Sequence, residues 1–557
     1  MILGIFIRNF KGYGETAFVP ISNGDNFTAF IGENGAGKTT LLQALDCFFN
    51  RKEWQTDIFL KEQPAPTPFI QLLFLVPLTD IPENLRTEAV EMSRMLWHYK
   101  HKSHSHPEEN ERFTPLRELL ASFPTQYTET HLLLTAATDP DYAGVSGVFE
   151  SQPPQDTEKW LAFARSIYRY LCIPTNPEPE ALIRNLSPES REDAAKQIPL
   201  LCGKYFNGLP AGLLDAEERQ QLTLMLIHRM IRQKPSGTLI VGFDEPEATL
   251  QTASCYEHFE KIYQLHTLNT QILLTSHWYG FIPLLTSGLL VDIIRHGYTR
   301  QFIRFDISRF REEIKIRKRI YRERYHEELP VDITLKTVND FIQSLIGSVI
   351  NAPCYNWLIC EGSSEMIYFN YYFAREIARE RLRIVPVGGV REVRKIYSYL
   401  SVPFSDLQEY IRGNIVLLTD TDTQLLEFET PAIHHLYCYR LVNAHGESHL
   451  VHIKSNPKSP ATEIEDVLNG KVFHQALLSF KTEYPELLDF VSEEEKPETA
   501  SYYALDLSPS EKERLTAFFD AHHQIKTRFA EKYVAICREG NYREPEWIGK
   551  LRSLLIG

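Results

Sequence analysis

The sequence predicts an α/β protein of 557 residues with a parallel sheet in each half of the chain. In the first half, an apolar run at 27–31 leads into a glycine-rich loop and then into a helix start. In the second half, apolar runs at 357–360, 382–387 and 415–419 end in acidic residues or glycines. Parallel strands, which are buried on both faces, read as continuous apolar runs of this kind. A hydrophobic content of 43% excludes a largely disordered chain.

The loop that follows the first apolar run fits a phosphate-binding pattern. Gly32, Gly37, Lys38 and Thr39 match G-x-x-x-x-G-K-[ST] between a strand and a helix. This arrangement directs backbone N–H groups and a helix N-terminus at a polyphosphate, while the lysine reaches the outer phosphates and the threonine hydroxyl holds Mg²⁺. We therefore expect ATP to bind the loop residues Asn34, Gly35, Gly37, Lys38, Thr39 and Thr40.

Two later strands carry residues that complete such a site. The apolar run 239–243 ends in Asp244 and Glu245, and the run 271–276 ends in His277. Asp244 is expected to hold Mg²⁺ together with Thr39, and Glu245 to act as the catalytic residue that polarises the attacking water. His277 follows the carboxyl end of its strand, which is the phosphate edge of a parallel sheet, and is expected to sense the terminal phosphate.

The order of these motifs resembles the ATP-binding-cassette (ABC) superfamily in its SMC-like branch, and residues 5–13 are similar to the first strand of that branch. The resemblance implies a homo-oligomer, a dimer or higher, formed through the ATPase domain. Such proteins supply a Leu-Ser-Gly-Gly-Gln/Glu signature in trans, and the segment 214–218, Leu-Asp-Ala-Glu-Glu, is the best counterpart here. Loss of the serine and both glycines predicts slow ATP turnover, unless this segment is an ordinary helix cap.

Acidic residues also follow two strands in the second half. Glu361 comes after the run 357–360, and Asp420 and Asp422 come after the run 415–419. The carboxyl ends of neighbouring parallel strands lie at one edge of a sheet, so these carboxylates are expected to meet. Clustered carboxylates repel one another without a cation, and hard divalent ions prefer oxygen ligands. The pattern predicts a site for Mg²⁺ or Mn²⁺.

This second pattern resembles the Toprim fold of topoisomerases, primases and OLD-family nucleases. Behind an SMC-like ATPase, it is similar in plan to the OLD family, including Gabija nuclease subunits and retron-associated OLD effectors. The resemblance implies further metal ligands at Glu365, Glu463 and Glu465, and a lysine near the scissile phosphate, Lys526 with Lys532 as the alternate. It also implies a small helical C-terminal region that completes the Toprim domain.

The resemblance further implies two-metal hydrolysis of a phosphodiester bond. In this hypothesis Asp420 and Asp422 hold one metal, and Glu361 is a shared ligand or the general base. The three further glutamates complete the other metal site, and Lys526 neutralises charge in the transition state. The catalytic residues of the nuclease are then Glu361, Asp420, Asp422 and Lys526.

The expected function is that of an ATP-regulated, metal-dependent DNA endonuclease of the OLD type that acts in antiphage defence. Defence follows from the resemblance alone, as do the expected partners, a helicase or a reverse transcriptase with its RNA–DNA product. Two alternatives stay open: an SMC-like ATP-binding clamp with an inactive Toprim domain, and a PARIS-type effector whose Toprim domain cleaves RNA. A repair or topology enzyme is a third class, and it requires a nucleophilic tyrosine that the sequence does not single out.

The motif order predicts four parts, an ATPase domain at 1–305, a basic helical linker at 306–350, a Toprim core at 351–475 and a helical C-terminal part at 476–557. An insertion at 80–205, which includes an amphipathic helix at 157–171, is the expected dimerisation or partner surface. The segment 303–325 interleaves basic and aromatic residues. It is either a helix that contacts the DNA backbone or a connecting helix with a solvated basic face.

Charge and cysteine usage limit the class of protein. A net charge of −14 argues against a nucleic-acid coat protein but allows a nuclease with a local basic surface. The eight cysteines are scattered without a C-x-x-C pair, as expected of reduced core residues in a cytoplasmic protein. No apolar run reaches the ~20 residues of a membrane span, so no membrane partner is expected.

Overall fold

The structure is a computed structural model, and it describes residues 1–52, 69–101, 114–123, 125–138, 157–186, 188–233, 237–297, 299–310, 313–314, 319, 322–323, 332–350, 354–421, 431–455, 457–521 and 525–557. The chain forms two compact units, an N-terminal unit at 1–337 and a C-terminal unit at 338–557. This division falls inside the predicted linker at 306–350, and the four-part division stays a prediction.

The described strands of the N-terminal unit form two sheets. They are β1 (Ile2–Arg8), β2 (Ala17–Pro20), β3 (Phe27–Ile31), β4 (Phe69–Pro77), β5 (His131–Ala137), β6 (Tyr168–Ile173), β7 (Thr238–Asp244), β8 (Gln271–Thr275), β9 (Leu289–His296) and β10 (Thr299–Asp306). The first sheet, β2-β1-β4-β5, is antiparallel. The second has the order β10-β9-β3-β8-β7-β6, and its strands from β9 to β6 are parallel. The predicted α/β class with a parallel sheet is therefore confirmed for this unit.

Helices pack against both sheets of this unit. In the described residues of this unit they are α1 (Lys38–Asn50), α2 (Glu83–His98), α3 (Thr114–Ser122), α4 (Thr125–Thr130), α5 (Thr157–Ile167), α6 (Pro179–Leu182), α7 (Pro188–Tyr205), α8 (Ala216–Arg232) and α9 (Thr252–Gln264). Phe30 of β3 joins one apolar core with α1, α2 and the antiparallel sheet. Its neighbours Ala29 and Ile31 join a second core with α7, α8 and α9. Side chains alternate across a strand, so β3 holds the two cores together and fixes the loop that follows it.

The segment predicted as an insertion, 80–205, contributes strands to both sheets, since β5 pairs with β4 and β6 pairs with β7. The helix predicted over 157–171 ends at Ile167, and residues 168–171 begin β6 instead. Residues Tyr168 to Ile173 run parallel to Thr238 to Phe243 of β7. Backbone pairing with an existing sheet outweighs a helical pattern in a short segment, which is why the sequence-based prediction was wrong here.

The described strands of the C-terminal unit form one sheet of order β12-β11-β13-β14-β15. They are β11 (Asn356–Cys360), β12 (Leu382–Pro386), β13 (Ile415–Thr419), β14 (Leu436–Ala444) and β15 (Glu447–His452). The strands from β12 to β14 are parallel, and β15 pairs antiparallel with β14. The parallel arrangement predicted for the strands that precede the acidic residues is confirmed.

The helices described for this part of the chain are α10 (Asp332–Ile350), α11 (Ser363–Tyr372), α12 (Ala374–Arg379), α13 (Val390–Asp406), α14 (Gly470–Lys481), α15 (Pro485–Leu488), α16 (Ser501–Leu505), α17 (Pro509–Asp520), α18 (Ile525–Glu539) and α19 (Glu546–Ile556). Side chains of α11, α14, α18 and α19 form one core with the sheet. The end of α10 is tied to the same unit, because Ser348 and Val349 accept backbone hydrogen bonds from Tyr355 and Arg412.

The segment 303–325 is only partly described. Its first residues belong to β10, a strand rather than a helix, and Arg304 donates to the Glu118 carbonyl oxygen at 2.7 Å. Lys315, Arg317 and Lys318 lie outside the described residues. All eight cysteines are described, and none forms a disulfide. Among the helices that the structure describes, none combines the length and the apolar character needed to cross a bilayer.

Candidate functional site

The phosphate loop connects β3 to α1 in a conformation that depends on glycine at two positions. Gly32 has a φ of +143°, and a Cβ there would lie 2.5 Å from the Ile293 carbonyl oxygen of β9. Gly37 precedes α1 with a φ of +108°, and a side chain there would press on Arg300 and Tyr13. L-residues with side chains rarely adopt such φ values, so both glycines are required by the backbone path.

Lys38 is the buried positive charge of the loop. Its Nζ donates to the carbonyl oxygens of Gly32 at 2.9 Å and Glu33 at 3.1 Å. The same ammonium lies 3.2 Å from Glu245 Oε1 at the end of β7. The structure therefore brings the predicted phosphate-binding lysine and the predicted catalytic glutamate into direct contact.

Asp244 lies at the centre of a hydrogen-bonded group of oxygen atoms. Its Oδ1 accepts from Thr39 Oγ1 at 2.8 Å and from Thr275 Oγ1 at 2.7 Å. Burial raises the pKa of Asp244, and the two hydroxyl donors act against that rise. The hydroxyl of Thr39 beside a carboxylate is an oxygen-only pair, which suits Mg²⁺, and these two residues would hold the ion.

His277 contacts a residue that the sequence patterns did not single out. Glu247 Oε1 lies 3.0 Å from His277 Nδ1 and accepts from the His277 N–H at 2.8 Å. The hydrogen bond to Glu247 raises the pKa of His277, while burial opposes the rise. Glu247 lies two residues after Glu245 in Asp-Glu-Pro-Glu, and only the turn that follows β7 brings it to the end of β8.

A cavity of about 520 Å³ lies over the loop. It is lined by Gly35, Gly37, Lys38, Thr39 and Thr40 of the predicted set, together with Gly12, Glu245, Arg295, Gly297 and Arg300. Asn34, the remaining predicted loop residue, is exposed and does not line it. The volume lies within the range of small-ligand pockets and suits a nucleotide.

Arg300 lines this cavity from the antiparallel edge strand β10, and no sequence motif singles it out. Its Nε donates to the Ala36 carbonyl oxygen at 2.8 Å, and its Nη1 donates to the Gly12 carbonyl oxygen. Its guanidinium lies 4.3 Å from the ring centroid of Tyr13, whose hydroxyl donates to the Gly37 carbonyl oxygen at 3.2 Å. Arg300 and Tyr13 therefore hold the loop from one side.

The candidate signature segment 214–218 forms an ordinary helix cap. Asp215 Oδ1 accepts from the Glu218 N–H at 2.8 Å, and Glu218 Oε2 accepts from the Asp215 N–H at 2.9 Å. In this capping box the two side chains accept hydrogen bonds from backbone N–H groups at the N-terminus of α8. The box also places carboxylates in the first turn of that helix. Of the two interpretations left open by the sequence, the helix cap is the one that the structure shows.

Replacing Asp215 by Ala should lower the free energy of unfolding of the N-terminal unit by about 1 kcal/mol, because α8 loses its cap. The affinity for ATP should stay unchanged, since the cap does not serve as a phosphate ligand. Urea denaturation and nucleotide titration measure the two quantities. Glu217→Ala, in the same first turn but outside the capping box, is the control. A marked loss of ATP affinity in Asp215→Ala would contradict the assignment of this segment as a cap.

In the C-terminal unit, Glu361 and Asp420 lie side by side. They follow the adjacent parallel strands β11 and β13, and the Asp420 N–H donates to Glu361 Oε1 at 3.0 Å. The glycine turn after β12 reaches the same edge, where Gly388 and Gly389 donate to the Glu361 carbonyl oxygen at 2.6 Å and 3.2 Å. The structure thus brings three strand ends together. Asp422 lies outside the described residues.

Glu365 and Glu465 are buried close to this pair. Glu365 Oε2 accepts from the Gly362 N–H at 2.6 Å and caps α11. Its Oε1 has no hydrogen-bond partner among the described residues, nor do Asp420 Oδ1 and Glu465 Oε1, and all three atoms are inaccessible to solvent. Buried polar atoms are nearly always hydrogen-bonded, so three orphaned oxygens in one region are unusual.

Burial raises the pKa of Glu365 to about 8 and that of Glu465 to about 7. Burial also raises the pKa of Asp420 well above its usual range, and the charges of Glu365 and Glu465 add to the effect. These mutual effects show that the carboxylates lie within electrostatic reach of one another. Without a cation, part of this cluster is protonated at neutral pH.

Lys526 supplies a positive charge beside the cluster. Its Nζ donates to Glu463 Oε2 at 2.7 Å. Burial acts to lower the pKa of Lys526, but the charges of Glu465 and Glu463 raise it above its usual value. Lys532, the alternate, is exposed further along α18. Of the two lysines, Lys526 is therefore the one that the structure brings to the acidic residues.

The donor set of the cluster suits a hard divalent cation, because it offers carboxylate oxygens that lack protein partners. Glu361, Glu365, Asp420 and Glu465 would hold such an ion. Among the described residues, no three His, Cys, Asp or Glu side chains meet at metal-binding distances. The case for a cation at this cluster therefore depends on the chemistry of the carboxylate ligands and on their burial.

Comparison with known proteins bears on the N-terminal unit. The family model described as "AAA ATPase domain" matches residues 1–132. No curated protein matches the sequence. Three solved structures are similar. The SMC head domain from Thermotoga maritima has 14% sequence identity and a TM-score of 0.30, and the match covers 55% of this chain and 98% of that chain. An SmcHead bound to the C-winged helix domain of ScpA has 13% identity, a TM-score of 0.29 and coverage of 55% and 99%, and an ATP-binding subunit of an ABC transporter has 12% identity, a TM-score of 0.26 and coverage of 56% and 94%.

The family match covers the phosphate loop together with β1 and β3, the strands that frame it. It agrees with the cavity over the loop and with the pairs Lys38–Glu245 and Thr39–Asp244. Residues 1–132 therefore match an ATPase domain of the AAA type, which implies that this part of the chain binds ATP.

Proposed function

We propose that the C-terminal unit is a Toprim-type nuclease domain of the OLD kind that hydrolyses phosphodiester bonds in DNA, and that the ATPase domain regulates it. The observation that carries this proposal is the set of three buried, unpartnered carboxylate oxygens on Glu365, Asp420 and Glu465. An unpaired buried charge is costly, so such a cluster is expected where a ligand compensates it. A divalent cation is the ligand that best fits an all-carboxylate set.

Each residue of the cluster has a role in this proposal. When bound, Mg²⁺ or Mn²⁺ lowers the pKa of a water and stabilises the leaving oxygen. Asp420 and Asp422 would hold one ion, and Glu361, which accepts the Asp420 N–H, would be a shared ligand or the general base. Glu365, Glu463 and Glu465 would complete the second metal site.

Lys526 would neutralise the negative charge that develops on the phosphate. Its raised pKa supports this role, because the ammonium keeps its proton throughout the physiological pH range. Its contact with Glu463 supports a position directly beside the second metal site.

For the ATPase domain we propose a regulatory role. A homo-oligomer formed through the ATPase domain belongs to the same proposal. So do a cytoplasmic location, a role in antiphage defence, and a helicase or a reverse transcriptase with its RNA–DNA as partner.

A second candidate function is an ATP-dependent clamp whose Toprim domain is inactive. It is favoured by one observation, that no three candidate ligands among the described residues meet at metal-binding distances. Cleavage of RNA, as in PARIS-type effectors, is a variant of the first proposal with the same carboxylates.

Cleavage of plasmid DNA and of a structured RNA in the presence of Mg²⁺ or Mn²⁺ tests the proposal. The full chain should cut DNA, and Asp420→Ala should be slower by at least about a hundredfold, because a metal ligand is lost. Asp489→Ala, which removes an exposed carboxylate paired with Arg514, is the control and should cut normally. Cutting of RNA alone would favour the PARIS-type variant. No cutting of either polymer by the wild type would favour the clamp.

A further inference from the structure

We infer that Glu247 orients His277 toward the terminal phosphate of ATP. Glu247, rather than Glu245, is the carboxylate that fixes the position of the His277 ring. The inference concerns the ATPase domain and is independent of the proposed nuclease activity. Glu247 would be a positioning residue, because it acts on the nucleotide through the imidazole.

The contacts at Glu247 fix the histidine in one arrangement. Glu247 Oε1 accepts from Ser276 Oγ at 2.9 Å and from the His277 N–H at 2.8 Å. It also lies 3.0 Å from His277 Nδ1. A carboxylate at Nδ1 requires that this nitrogen carry a proton, which leaves Nε2 for a ligand. One carboxylate oxygen therefore holds the backbone and the ring of His277 together.

The fold places this pair between the two other parts of the site. β8, which ends just before Ser276, lies between β3 and β7 in the sheet. The Ser276 N–H donates to the Phe30 carbonyl oxygen of β3 at 3.0 Å. The charges of Glu245 and Lys38 both act on the pKa of His277, so the ring lies within electrostatic reach of the phosphate-binding lysine.

The two glutamates after β7 have separate tasks in this arrangement. Glu245 pairs with Lys38 at 3.2 Å. The short turn Pro246–Thr249 brings Glu247 back beneath the end of β8, where its side chain is only 5% exposed. Its second oxygen, Oε2, has no partner among the described residues. Burying a carboxylate oxygen without a hydrogen bond costs stability. We therefore attribute the presence of Glu247 to the contacts that its Oε1 makes with Ser276 and His277.

The charge of Glu247 also favours the imidazolium form of His277, and Glu245 adds to this, whereas Lys38 and burial oppose it. An imidazolium donates a charge-assisted hydrogen bond to phosphate, which is stronger than a neutral one. ADP lacks the terminal phosphate, so the interaction discriminates between the two nucleotides. The preference for ATP should therefore weaken when the glutamate charge is removed.

The test is the affinity of the full chain for Mg·ATPγS and for Mg·ADP, measured by calorimetry between about pH 6 and about pH 8. Glu247→Gln should lower the preference for ATPγS over ADP by about tenfold and leave the ADP affinity within about twofold. The pH at which the preference declines should move downward, since the imidazolium loses a stabilising charge. Glu257→Gln, at a half-buried glutamate paired with Lys261 on α9, should change neither quantity.

His277→Gln should cause a similar loss, and the double variant should lose no more than either single one, because both act through one contact. If Glu247→Gln unfolds, Ser276→Ala tests the same oxygen by removing one of its donors, and it should give a smaller loss in the same direction. An unchanged ATPγS preference and pH profile in folded Glu247→Gln or Ser276→Ala would overturn the inference. A full additive loss in the double variant would do so as well.

Discussion

Replacing Lys38 by Ala is expected to weaken ATP binding by at least about a hundredfold. Among the described residues, this ammonium is the only buried cation at the phosphate loop. It donates hydrogen bonds to the carbonyl oxygens of Gly32 and Glu33 and forms an ion pair with Glu245. On nucleotide binding these contacts are exchanged in part for phosphate oxygens, and each charge-assisted hydrogen bond contributes about 1.5–3 kcal/mol. Two such bonds correspond to a hundredfold or more in affinity.

Removal of Lys38 also leaves Glu245 beside the phosphates without its counter-charge, which adds repulsion to the lost attraction. Titration with a fluorescent ATP analogue measures the loss. Lys196→Ala, which removes an exposed lysine paired with Glu192, is the control and should bind as the wild type does. Glu245→Gln should keep its affinity, since the repulsive charge is gone, and should lose turnover. Normal binding by Lys38→Ala would show that the cavity over the loop is not the nucleotide site.

The second large effect is expected at Glu365. Its pKa is raised from 4.5 to about 8, chiefly by burial. The folded state therefore binds a proton more tightly than the unfolded state does. The contribution of Glu365 to stability is most favourable below about pH 4.5, declines as pH rises between about 4.5 and about 8, and is constant above that range. Glu365→Gln, which resembles the protonated side chain, should remove this loss and stabilise the C-terminal unit at pH 8 by up to about 4 kcal/mol.

Hydrogen exchange of the β11 and β13 amides in the presence of a chelator measures this stability locally. At about pH 5 the variant and the wild type should exchange alike, and at about pH 8 the variant should be better protected. Millimolar Mg²⁺ or Mn²⁺ should restore protection of the wild type at the higher pH and have little effect on Glu365→Gln. Glu483→Gln, at an exposed pair with Arg528, is the control. Equal protection of wild type and Glu365→Gln at both pH values would contradict a buried, ionisable cluster.

Several features of the ATPase site could be predicted from sequence because the signal is local. The pattern from Gly32 to Thr39 needs one strand, one turn and one helix start, which are set by neighbours in the chain. Asp244 and His277 follow from the rule that strand ends of a parallel sheet share one edge. In the second half, the same rule brought Glu361 and Asp420 together correctly, and the structure places them within hydrogen-bond distance.

Other residues could not be predicted because their partners are distant in the chain. Arg300 acts on Gly12 and Ala36 only because β9 and β10 form a hairpin at the edge of the sheet. The helix expected over 157–171 ends at Ile167, and its last four predicted residues belong to β6 because they pair with β7. No sequence pattern distinguishes Glu247 from another glutamate that follows a strand. Its contact with His277 depends on the turn Pro246–Thr249, which brings it to the end of β8.

The sequence by itself determined that the N-terminal half binds a nucleotide phosphate and that acidic residues end parallel strands in the C-terminal half. Those conclusions depend on chain-local geometry and on the period of apolar residues. Only the tertiary structure decided that segment 214–218 is a capped helix, that Glu247 holds His277, and that three carboxylate oxygens are buried without partners. Burial and hydrogen-bond partnership are properties of packing between distant segments, and no local pattern encodes them.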